Sequence, residues 1–593
     1  MTRFAALLAI LLALALLCWA FAPRRHLPWF RVATLRLRLR LRLHPGRGFA
    51  CLPELWLQWG RLASFRESGR TRPGLPLSHR IIRPSSHSVY LGRAQYRHRL
   101  HQPIQENITI VGRTRSGKSG WLAKVIIHFG GAVVSATTKP DLFLLTSGLR
   151  SLLGRPVLVF NPQRIGGWLA RTTFRWDPVP GCEDEAVATR RATAFTEAVR
   201  TKGTEADGFW SEQAATQMPA LFCAAALGGL DLRAVAQWVL SGATREAERI
   251  LRAHGRASWA AVVAQMRGPA EKTGATVRMV LTSAMKFMND PALAECVLPA
   301  PGDGFDIPEF LRLQGCLYLI GEQRGETSPI GPLFACMVTE IHWAASQLGS
   351  GMRGSRLDPP LLLQLDEVTQ ICPIPVPSLL ADSGGRGIMM IIACHGLAQL
   401  EDRWGKAAAR SVLDTSNQIY VSGIQDPDTL DMVSRLCGDA AYLERGTEGR
   451  RTVYYPVATP AMIRRLPKRR ALVLRGSAAP VITHLPMAWN DWRYRWARLR
   501  SREVARLTRE PSTAELDVPV ASVLAAGTGA WGAADIEAAD SLLTADLASG
   551  PAALAAAVNG TGHRNGSRNG HASGNGPTGN ARSARTSYPW DKR

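Results

Sequence analysis

A glycine-containing loop near residue 115 constrains the fold of this chain more than any other feature. The loop has the spacing G-x-x-x-x-G-K-S and consists of Gly112, Arg113, Thr114, Arg115, Ser116, Gly117, Lys118 and Ser119. It follows the apolar run NITIVG (107–112) and opens KSGWLAKVIIHF (118–129), whose apolar residues recur at helical spacing. A strand, a tight loop and a helix in this order predict a phosphate-binding loop, because backbone N–H groups and the helix N-terminus then surround the phosphates. We expect Lys118 to reach the β- and γ-phosphates of a nucleoside triphosphate and Ser119 to bind Mg²⁺.

A second motif supplies the acidic groups that hydrolysis needs. LLLQLDEVTQI (361–371) is an apolar run interrupted by Asp366 and Glu367. We expect Asp366 to hold Mg²⁺ or its water ligands, and Glu367 to orient and deprotonate the attacking water. A solvated strand end is the alternative for this motif when it is taken alone. Together with the phosphate-binding loop, the motif predicts an enzyme that hydrolyses a nucleoside triphosphate.

Two more polar residues flank the apolar run IMMIIAC (388–394). Arg386 lies in a glycine-rich turn before the run, where an arginine can project across a subunit interface to a neighbour's γ-phosphate. The alternative is an arginine held by its own turn or by solvent. His395 follows the run, and we expect it to contact the nucleotide near the γ-phosphate. A hydrogen-bonded histidine at a strand end is the alternative there.

Continuous apolar runs indicate a mainly parallel sheet that is covered on both faces. The runs that predict strands are SVYLGRA (88–94), NITIVG (107–112), GAVVSA (131–136), PVLVF (156–160), CLYLIG (316–321), LLLQLD (361–366), IMMIIAC (388–394), QIYVSG (418–423) and ALVLR (471–475). Residues 183–300 are instead rich in alanine and have helical spacing. The chain is therefore predicted to be an α/β protein with an all-α segment inserted into its nucleotide-binding part.

The net charge of +25 favours polyanionic partners, either nucleic acid or an anionic membrane surface. The charge is concentrated, because residues 1–100 hold 18 arginines, no lysine and only two acidic residues, Glu54 and Glu67. The 10 cysteines form no CxxC pair and no zinc spacing. Free thiols in a reducing compartment are therefore expected.

The N-terminus carries an apolar stretch of 19 residues, Phe4–Ala22. A helix of this length crosses a hydrocarbon core of ~30 Å. The arginines near the stretch lie mostly on its C-terminal side. Because positively charged residues flank a membrane span on the cytoplasmic side, this predicts a single-pass protein of the cytoplasmic membrane with its C-terminal bulk in the cytoplasm. A cleaved signal peptide is the alternative, because Ala20-Phe21-Ala22 resembles a cleavage site. The length of the stretch and its barely basic start favour the anchor.

The segment TLRLRLRLRLH (34–44) alternates leucine and arginine strictly. This period of two is typical of a strand with one apolar face, whereas a helix would have two opposed leucine stripes. We expect the segment at the cytoplasmic membrane face, with its arginines near anionic lipid. A nucleic-acid arm and a linker without a specific role are the alternatives. CLPELWLQW (51–59) is too short to span a membrane, so it is expected to be interfacial or packed.

Several stretches together resemble the type IV coupling proteins of bacterial conjugation and type IV secretion, within the broader FtsK-like DNA translocases. They are VYLGRA (89–94), VGRTRSGKS (111–119), SATTKPDL (135–142), the pair Phe209-Trp210, LDE (365–367), GRGI (385–388), GLAQLEDRWG (396–405) and VSGIQDPDT (421–429). The resemblance implies a RecA-like P-loop NTPase core, an inserted all-α domain that engages substrate, a membrane anchor and a homohexamer. It implies ATP and Mg²⁺ as cofactors.

The resemblance also implies ATP-driven movement of DNA or of a relaxase–DNA complex into a type IV secretion channel. The implied partners are DNA, bound independently of sequence and as a single strand, relaxase or relaxosome proteins, and channel components. This chain departs from the family in having one clear membrane span instead of two, and His395 where glutamine is usual. A related translocase that exports protein effectors and a membrane scaffold switched by ATP are the alternative functions.

These observations divide the chain into six predicted segments. They are a transmembrane anchor (1–23), a basic juxtamembrane segment (24–79), the first part of the nucleotide-binding domain (80–182), an all-α domain (183–315), the second part of the nucleotide-binding domain (316–490), and a tail (491–593). The tail is predicted to begin with a basic helix over 491–507 and to continue as an acidic, alanine-rich stretch. Its low-complexity end, 559–587, has too few apolar residues to fold.

Overall fold

An eleven-stranded sheet runs through the core of this computed structural model. The structure describes residues 28–199, 205–266, 272–299, 304–323, 329–446 and 449–495, all within one compact unit. The strands are β1 Ser88–Arg93, β2 Arg99–Pro103, β3 Ile108–Val111, β4 Ala132–Thr137, β5 Val157–Phe160, β6 Cys316–Ile320, β7 Leu361–Asp366, β8 Ile388–Cys394, β9 Asn417–Val421, β10 Asp439–Gly446, β11 Gly449–Pro456, β12 Arg470–Leu474 and β13 Val481–His484.

The sheet order is β2-β1-β13-β12-β9-β3-β8-β7-β4-β6-β5, and β10 and β11 form a separate hairpin. The seven strands from β9 to β5 are parallel, and β12, β13, β1 and β2 extend the sheet with antiparallel pairs. The mainly parallel, buried sheet predicted from the continuous apolar runs is thereby confirmed. Strand β8 lies between β3 and β7, so the three carboxyl ends meet at one edge of the sheet.

Helices connect these strands and cover both faces of the sheet. They are α1 Pro28–Arg40, α2 Leu52–Glu54, α3 Arg61–Thr71, α4 Leu77–Ile82, α5 Lys118–His128, α6 Asp141–Leu152, α7 Glu185–Ala198, α8 Glu205–Leu227, α9 Leu232–Ser241, α10 Arg245–Ala253, α11 Ala257–Gln265, α12 Lys272–Met285, α13 Pro291–Cys296, α14 Ile307–Arg312, α15 Gly331–Ser350, α16 Val368–Ile371, α17 Val376–Ser383, α18 Leu397–Trp404, α19 Lys406–Asp414, α20 Pro427–Leu436 and α21 Pro460–Arg464.

The residues described between β5 and β6 contain helices and no strand. Helices α7 and α8 pack on each other through buried aromatic rings, with the centroids of Phe195 and Phe222 5.5 Å apart. This helical segment is tied to α15, where the Glu340 carboxylate is ion-paired with Arg190 at 2.5 Å and with Arg191 at 3.0 Å. The predicted domain boundaries stay predictions.

Residues 34–40 of the leucine–arginine segment form the end of helix α1, so the strand that the alternation favours does not form. Helix α1 buries Leu35 and Leu39, which are 2% and 4% exposed, against the core. Two hydrogen bonds to backbone carbonyls fix it: Arg31 donates to Pro456 O at 2.5 Å, and Arg470 donates to Leu39 O at 3.0 Å. Alternation does not decide between the two structures, because leucines four residues apart already line one face of a helix.

Some apolar residues of the run 51–59 are buried and others are exposed. Leu55 and Trp59 are fully buried, whereas Trp56 and Leu57 are 59% and 57% exposed. The apolar stretch 4–22, most of the basic helix 491–507 and the rest of the tail lie outside the described residues. Within the ranges that the structure describes, no helix is both long and apolar enough to cross a membrane.

Candidate nucleotide-binding and hydrolysis site

The carboxyl ends of β3, β8 and β7 bring the sequence-predicted site residues together. Strand β3 leads into the glycine-containing loop, β8 ends before His395, and β7 ends at Asp366. The register pairs Val111 with Cys394 and Asp366 with Ala393, so the three ends are level. In an open α/β sheet, ligands bind in the crevice outside these ends. The edge is therefore the place where a nucleotide is expected.

The loop between β3 and α5 has the backbone that its glycines permit. Gly117 takes a left-handed conformation (φ 107°) directly before α5. A side chain at Gly112 would come within 2.9 Å of Val421 Cβ, so the loop starts where only glycine fits. Arg113, Thr114 and Arg115 are exposed, as a loop that wraps around a ligand requires. The buried Ser116 Oγ has no hydrogen-bond partner.

Lys118 is buried and is turned onto the end of β8. Its side chain is 6% exposed. Its Nζ donates to Cys394 O at 3.0 Å and to His395 Nδ1 at 3.1 Å. Burial lowers the pKa of Lys118 from its usual value, because the charged form loses hydration. The ammonium group is thus held inside the site by acceptors that a phosphate can replace.

His395 joins Lys118 to Glu367. Its Nε2 lies 2.9 Å from Glu367 Oε1. Lys118 can only donate and the Glu367 carboxylate can only accept, so we assign the tautomer in which Nδ1 accepts and Nε2–H donates; Nδ1 also lies 3.3 Å from Gly112 O. This hydrogen bond holds the pKa of Glu367 below its usual value. The backbone N–H of His395 donates to Gln399 Oε1 at 2.9 Å. Glu367 itself has a left-handed backbone (φ 56°).

Asp366 fits a magnesium site. Its side chain is 8% exposed, and its Oδ1 is buried without a hydrogen-bond partner. Burial raises the pKa of its carboxyl to about 6, although Lys118 acts in the opposite direction. A divalent cation would supply the positive charge that this carboxylate lacks. Together with the half-buried Ser119 in the loop, the oxygen donors present suit Mg²⁺.

Arg386 does not join this constellation within one chain. It lies in a short 3₁₀ turn before β8, at the amino end of the strand, whereas His395 follows the carboxyl end. Seven residues of strand separate the two ends by roughly 20 Å. The Arg386 side chain is 41% exposed, with its Nε 2.5 Å from Asp382 Oδ2. Its contact with a neighbour's phosphate stays a prediction.

Three residues near the site did not emerge from the sequence as site residues. Lys139 and Asp141, in SATTKPDL after β4, act electrostatically on the acidic pair: Lys139 lowers the pKa of Glu367, and Asp141 raises that of Asp366. Arg469, before β12, lies beside the loop, and a side chain at Gly117 would come within 3.7 Å of its Cγ. Lys139 and Asp141 lie in one of the stretches that carry the family resemblance, whereas Arg469 lies in none of them.

A comparison with known protein families matches a segment that includes residues at the carboxyl edge of the sheet. Residues 360–468, which contain β7, β8 and His395, match the family model of the TraM recognition site of TraD and TraG. This match confirms the resemblance to type IV coupling proteins that the motifs indicated. No curated protein matches the chain.

Solved structures of conjugative coupling proteins and of VirB4 resemble the chain in part. The bacterial conjugative coupling protein TrwBdeltaN70, in an unbound monoclinic form, is 18% identical, with 66% of this chain and 89% of that one covered and a TM-score of 0.49. The plasmid coupling protein TrwB in complex with ADP and Mg²⁺ is 18% identical, with 65% and 87% covered and a TM-score of 0.48. VirB4 of Thermoanaerobacter pseudethanolicus is 11% identical, with 69% and 98% covered and a TM-score of 0.41.

Proposed function

We propose that this chain is a membrane-anchored ATPase that couples ATP hydrolysis to the recruitment and translocation of DNA into a type IV secretion channel. The observation that carries the proposal is the hydrogen-bonded series Lys118–His395–Glu367 beside Asp366. This series brings a lysine, a histidine and two carboxylates together at one edge of a parallel sheet, which supports roles for them as phosphate-binding cation, positioning residue, water-activating base and metal ligand. Such a set serves hydrolysis and not nucleotide binding alone.

The site residues divide the work of phosphoryl transfer. ATP with Mg²⁺, when bound, supplies the phosphoryl group that water attacks and the charge that balances the phosphates. On binding, Lys118 would exchange Cys394 O and His395 for phosphate oxygens, and Ser119 and Asp366 would hold the metal. Glu367 is kept ionised by His395 and accepts the proton of the attacking water. The loop N–H groups and the start of α5 cradle the phosphates.

DNA is the proposed substrate because the chain is strongly basic and contains no motif that reads bases. A net charge of +25 suits contacts with phosphates that do not depend on sequence. The family model is described as a recognition site for TraM, which supports a relaxosome protein as a second partner. The proposed cargo is therefore DNA, alone or together with a bound relaxase.

Anchoring and assembly complete the proposal. The apolar stretch 4–22 holds the chain in the bacterial cytoplasmic membrane, with the nucleotide site in the cytoplasm, where ATP is available. The proposed assembly is a homohexameric ring, in which Arg386 of one subunit reaches the nucleotide of its neighbour.

A mating assay tests this function in cells. Donor cells that express Lys118→Ala in place of the unmodified chain should lose plasmid transfer, because the phosphates lose their cation. Lys406→Ala, which removes an exposed lysine from α19, is the matched control and should transfer normally. Undiminished transfer with Lys118→Ala contradicts the proposal. Relaxase delivery that continues when DNA transfer stops would favour the protein-exporting alternative instead.

A further inference from the structure

Helix α1 and the turn that follows it carry leucines on two sides, and only one of these sides packs inside the protein. Leu35 and Leu39 are 2% and 4% exposed, whereas Leu37 and Leu41 are 40% and 57% exposed. Residues two apart on a helix point about 200° apart, so the strict alternation places the two pairs on opposite sides. The outer pair continues along the helix axis, since the Leu41 N–H donates to Leu37 O at 2.9 Å.

The outer leucines belong to a larger exposed apolar surface. The Tyr96 N–H donates to Arg42 O at 2.7 Å, and the His98 ring lies 5.5 Å from the Trp56 ring. These contacts place the end of α1, the turn between β1 and β2, and the segment 52–57 side by side. We define the N-terminal apolar patch as Leu37, Leu41, Leu52, Trp56, Leu57 and Tyr96, which are between 40% and 59% exposed.

Exposed apolar residues are concentrated in this part of the chain. Of the 20 large hydrophobic residues that are exposed in the described structure, ten lie between Leu37 and Tyr96. Single exposed apolar residues are normal on a protein surface, but a cluster of this kind marks an interaction site.

The charge around the patch favours a lipid surface over a second copy of the chain. Residues 28–100 contain 15 arginines and two acidic residues, a net charge of +13. Two such surfaces facing each other would repel. Arg36 and Arg40 are exposed beside the outer leucines on α1, and Arg42 and Arg97 are exposed beside Tyr96. Leucine, tryptophan and tyrosine rimmed by arginine are the side chains that bind the headgroup region of an anionic bilayer.

The sequence before the patch gives it access to such a bilayer. The apolar stretch 4–22 ends six residues before Pro28, where α1 begins. Under the anchoring proposed above, α1 starts at the membrane surface. A helix that lies along this surface needs one apolar side for the protein and one for the lipid, and the alternation provides both.

We propose that α1 and the N-terminal apolar patch lie on the cytoplasmic face of an anionic membrane, as a second lipid contact beside the apolar stretch 4–22. The arginines pair with lipid phosphates while the leucines and aromatic rings enter the headgroup region. This contact fixes the orientation of the nucleotide-binding part relative to the bilayer. It rests on the proposed anchoring and is independent of ATP hydrolysis and DNA.

A native cysteine provides a probe for this contact. Cys51 is exposed next to Leu52, and it is the one exposed cysteine among those described. The full-length chain with Cys18→Ser, labelled at Cys51 with an environment-sensitive fluorophore, is reconstituted into phosphatidylcholine–phosphatidylglycerol vesicles. Some vesicles contain lipid with a nitroxide near the headgroup. We expect the nitroxide lipid to quench the label, and the quenching to weaken when phosphatidylglycerol is omitted.

A matched pair of fourfold variants isolates the patch. Leu37→Gln, Leu41→Gln, Trp56→Gln and Leu57→Gln together should remove most of the quenching, because the apolar contact is lost. Leu313→Gln, Leu436→Gln, Leu443→Gln and Tyr454→Gln replace residues that are 50–68% exposed elsewhere, and should leave the quenching unchanged.

The remaining outcomes separate this proposal from the proposed anchoring. Protein that floats with the vesicles while its label is not quenched overturns the patch contact and leaves the anchor intact. Protein that does not float at all overturns the anchor. A label shielded by oligomer formation in detergent, or by single-stranded DNA, without quenching by lipid, assigns the patch to a subunit or nucleic-acid contact and overturns the proposal.

Discussion

Lys118, His395 and Glu367 form a continuous series of hydrogen bonds in which the histidine is the central member. Because Nδ1 accepts from the lysine while Nε2–H donates to the carboxylate, a change at one end alters the other. Movement of Lys118 to a phosphate frees one side of the ring while the other still orients Glu367. We therefore expect His395 to act as a positioning residue that relates nucleotide occupancy to the base.

Replacing His395 separates orientation from binding. His395→Ala should lower kcat by about 10²-fold, since a base displaced by about 1 Å loses that much. His395→Gln should keep most of the activity, because an amide both donates to Glu367 and accepts from Lys118. Steady-state ATP hydrolysis and a nucleotide-binding titration measure the two effects. Equal losses of kcat in both variants, or a normal rate in His395→Ala, would remove the positioning role.

Two buried histidines predict how stability responds to acid. Burial lowers the pKa of His101 to about 3 and that of His342 to about 4. Both are neutral in the folded chain, so the unfolded chain binds more protons below its histidine pKa of about 6.5. Their contribution to stability is complete above that pH and is lost as pH falls towards 4, by about 1.4 kcal/mol per pH unit for each histidine.

The change from pH 7 to pH 5 is measured as a shift in thermal unfolding midpoint. Asp177 and Asp366 act in the opposite sense, since burial raises the pKa of their carboxyls to about 7 and about 6. Comparison with the unmodified chain cancels their effect. The chain with His101→Gln and His342→Gln should lose less stability at pH 5 than the unmodified chain. His79→Gln, at an exposed position on α4, should behave like the unmodified chain. Parallel pH curves for all three would contradict this prediction.

At the scale of elements, α1 shows how one residue pattern permits two structures. A strand would place Leu35, Leu37 and Leu39 on one face, whereas the helix buries Leu39 and exposes Leu37. In the helix, Leu39→Ala should lower the free energy of unfolding by about 2–5 kcal/mol. Leu37→Ala should change it by at most about 0.5 kcal/mol. Chemical denaturation in detergent measures both, and equal losses would favour the strand.

The strands of the parallel sheet were predictable because each is a continuous apolar run buried on both faces. Strands β2, β10, β11 and β13 were not predicted, since they lie in the antiparallel part or in the separate hairpin and carry polar residues. In β11, for example, Arg450 and Arg451 are exposed and interrupt the apolar pattern. The helical spacing of residues 183–300 was a good guide because helices leave a local, periodic signal.

The candidate site was predictable only in part. The loop around Lys118 and the pair Asp366–Glu367 are local patterns whose spacing is set by the chemistry. The contact from Lys118 through His395 to Glu367 depends on β8 lying between β3 and β7. The order of strands in a sheet cannot be predicted from the sequence of a single segment. Arg469 lies beside the loop but is distant from it in sequence, so the residues around it did not predict a site residue.

At the scale of the whole molecule, the proposed contact of Arg386 with a nucleotide requires a second subunit. It lies at the amino end of β8, whereas the nucleotide-binding loop lies at the carboxyl ends. In a ring, that arrangement lets one subunit present the arginine while the next presents the loop.

Mixing two inactive variants tests this division between subunits. Lys118→Ala and Arg386→Ala should each lack ATPase activity. An equal mixture should regain it, because about one quarter of the interfaces then join an intact loop to an intact arginine. The readout is phosphate release after the subunits have exchanged. A mixture that stays inactive despite exchange, or an active Arg386→Ala variant, would contradict a role in trans.

The central claim is that the site hydrolyses ATP in response to DNA, and the most direct measurement is the ATPase rate of the full-length chain with and without single-stranded DNA. We predict a rate that rises with DNA, disappears in Lys118→Ala and falls by about 10²–10⁴-fold in Glu367→Gln. Lys406→Ala should retain the rate of the unmodified chain. A rate that is the same with and without DNA, or that survives in Lys118→Ala, would contradict the account.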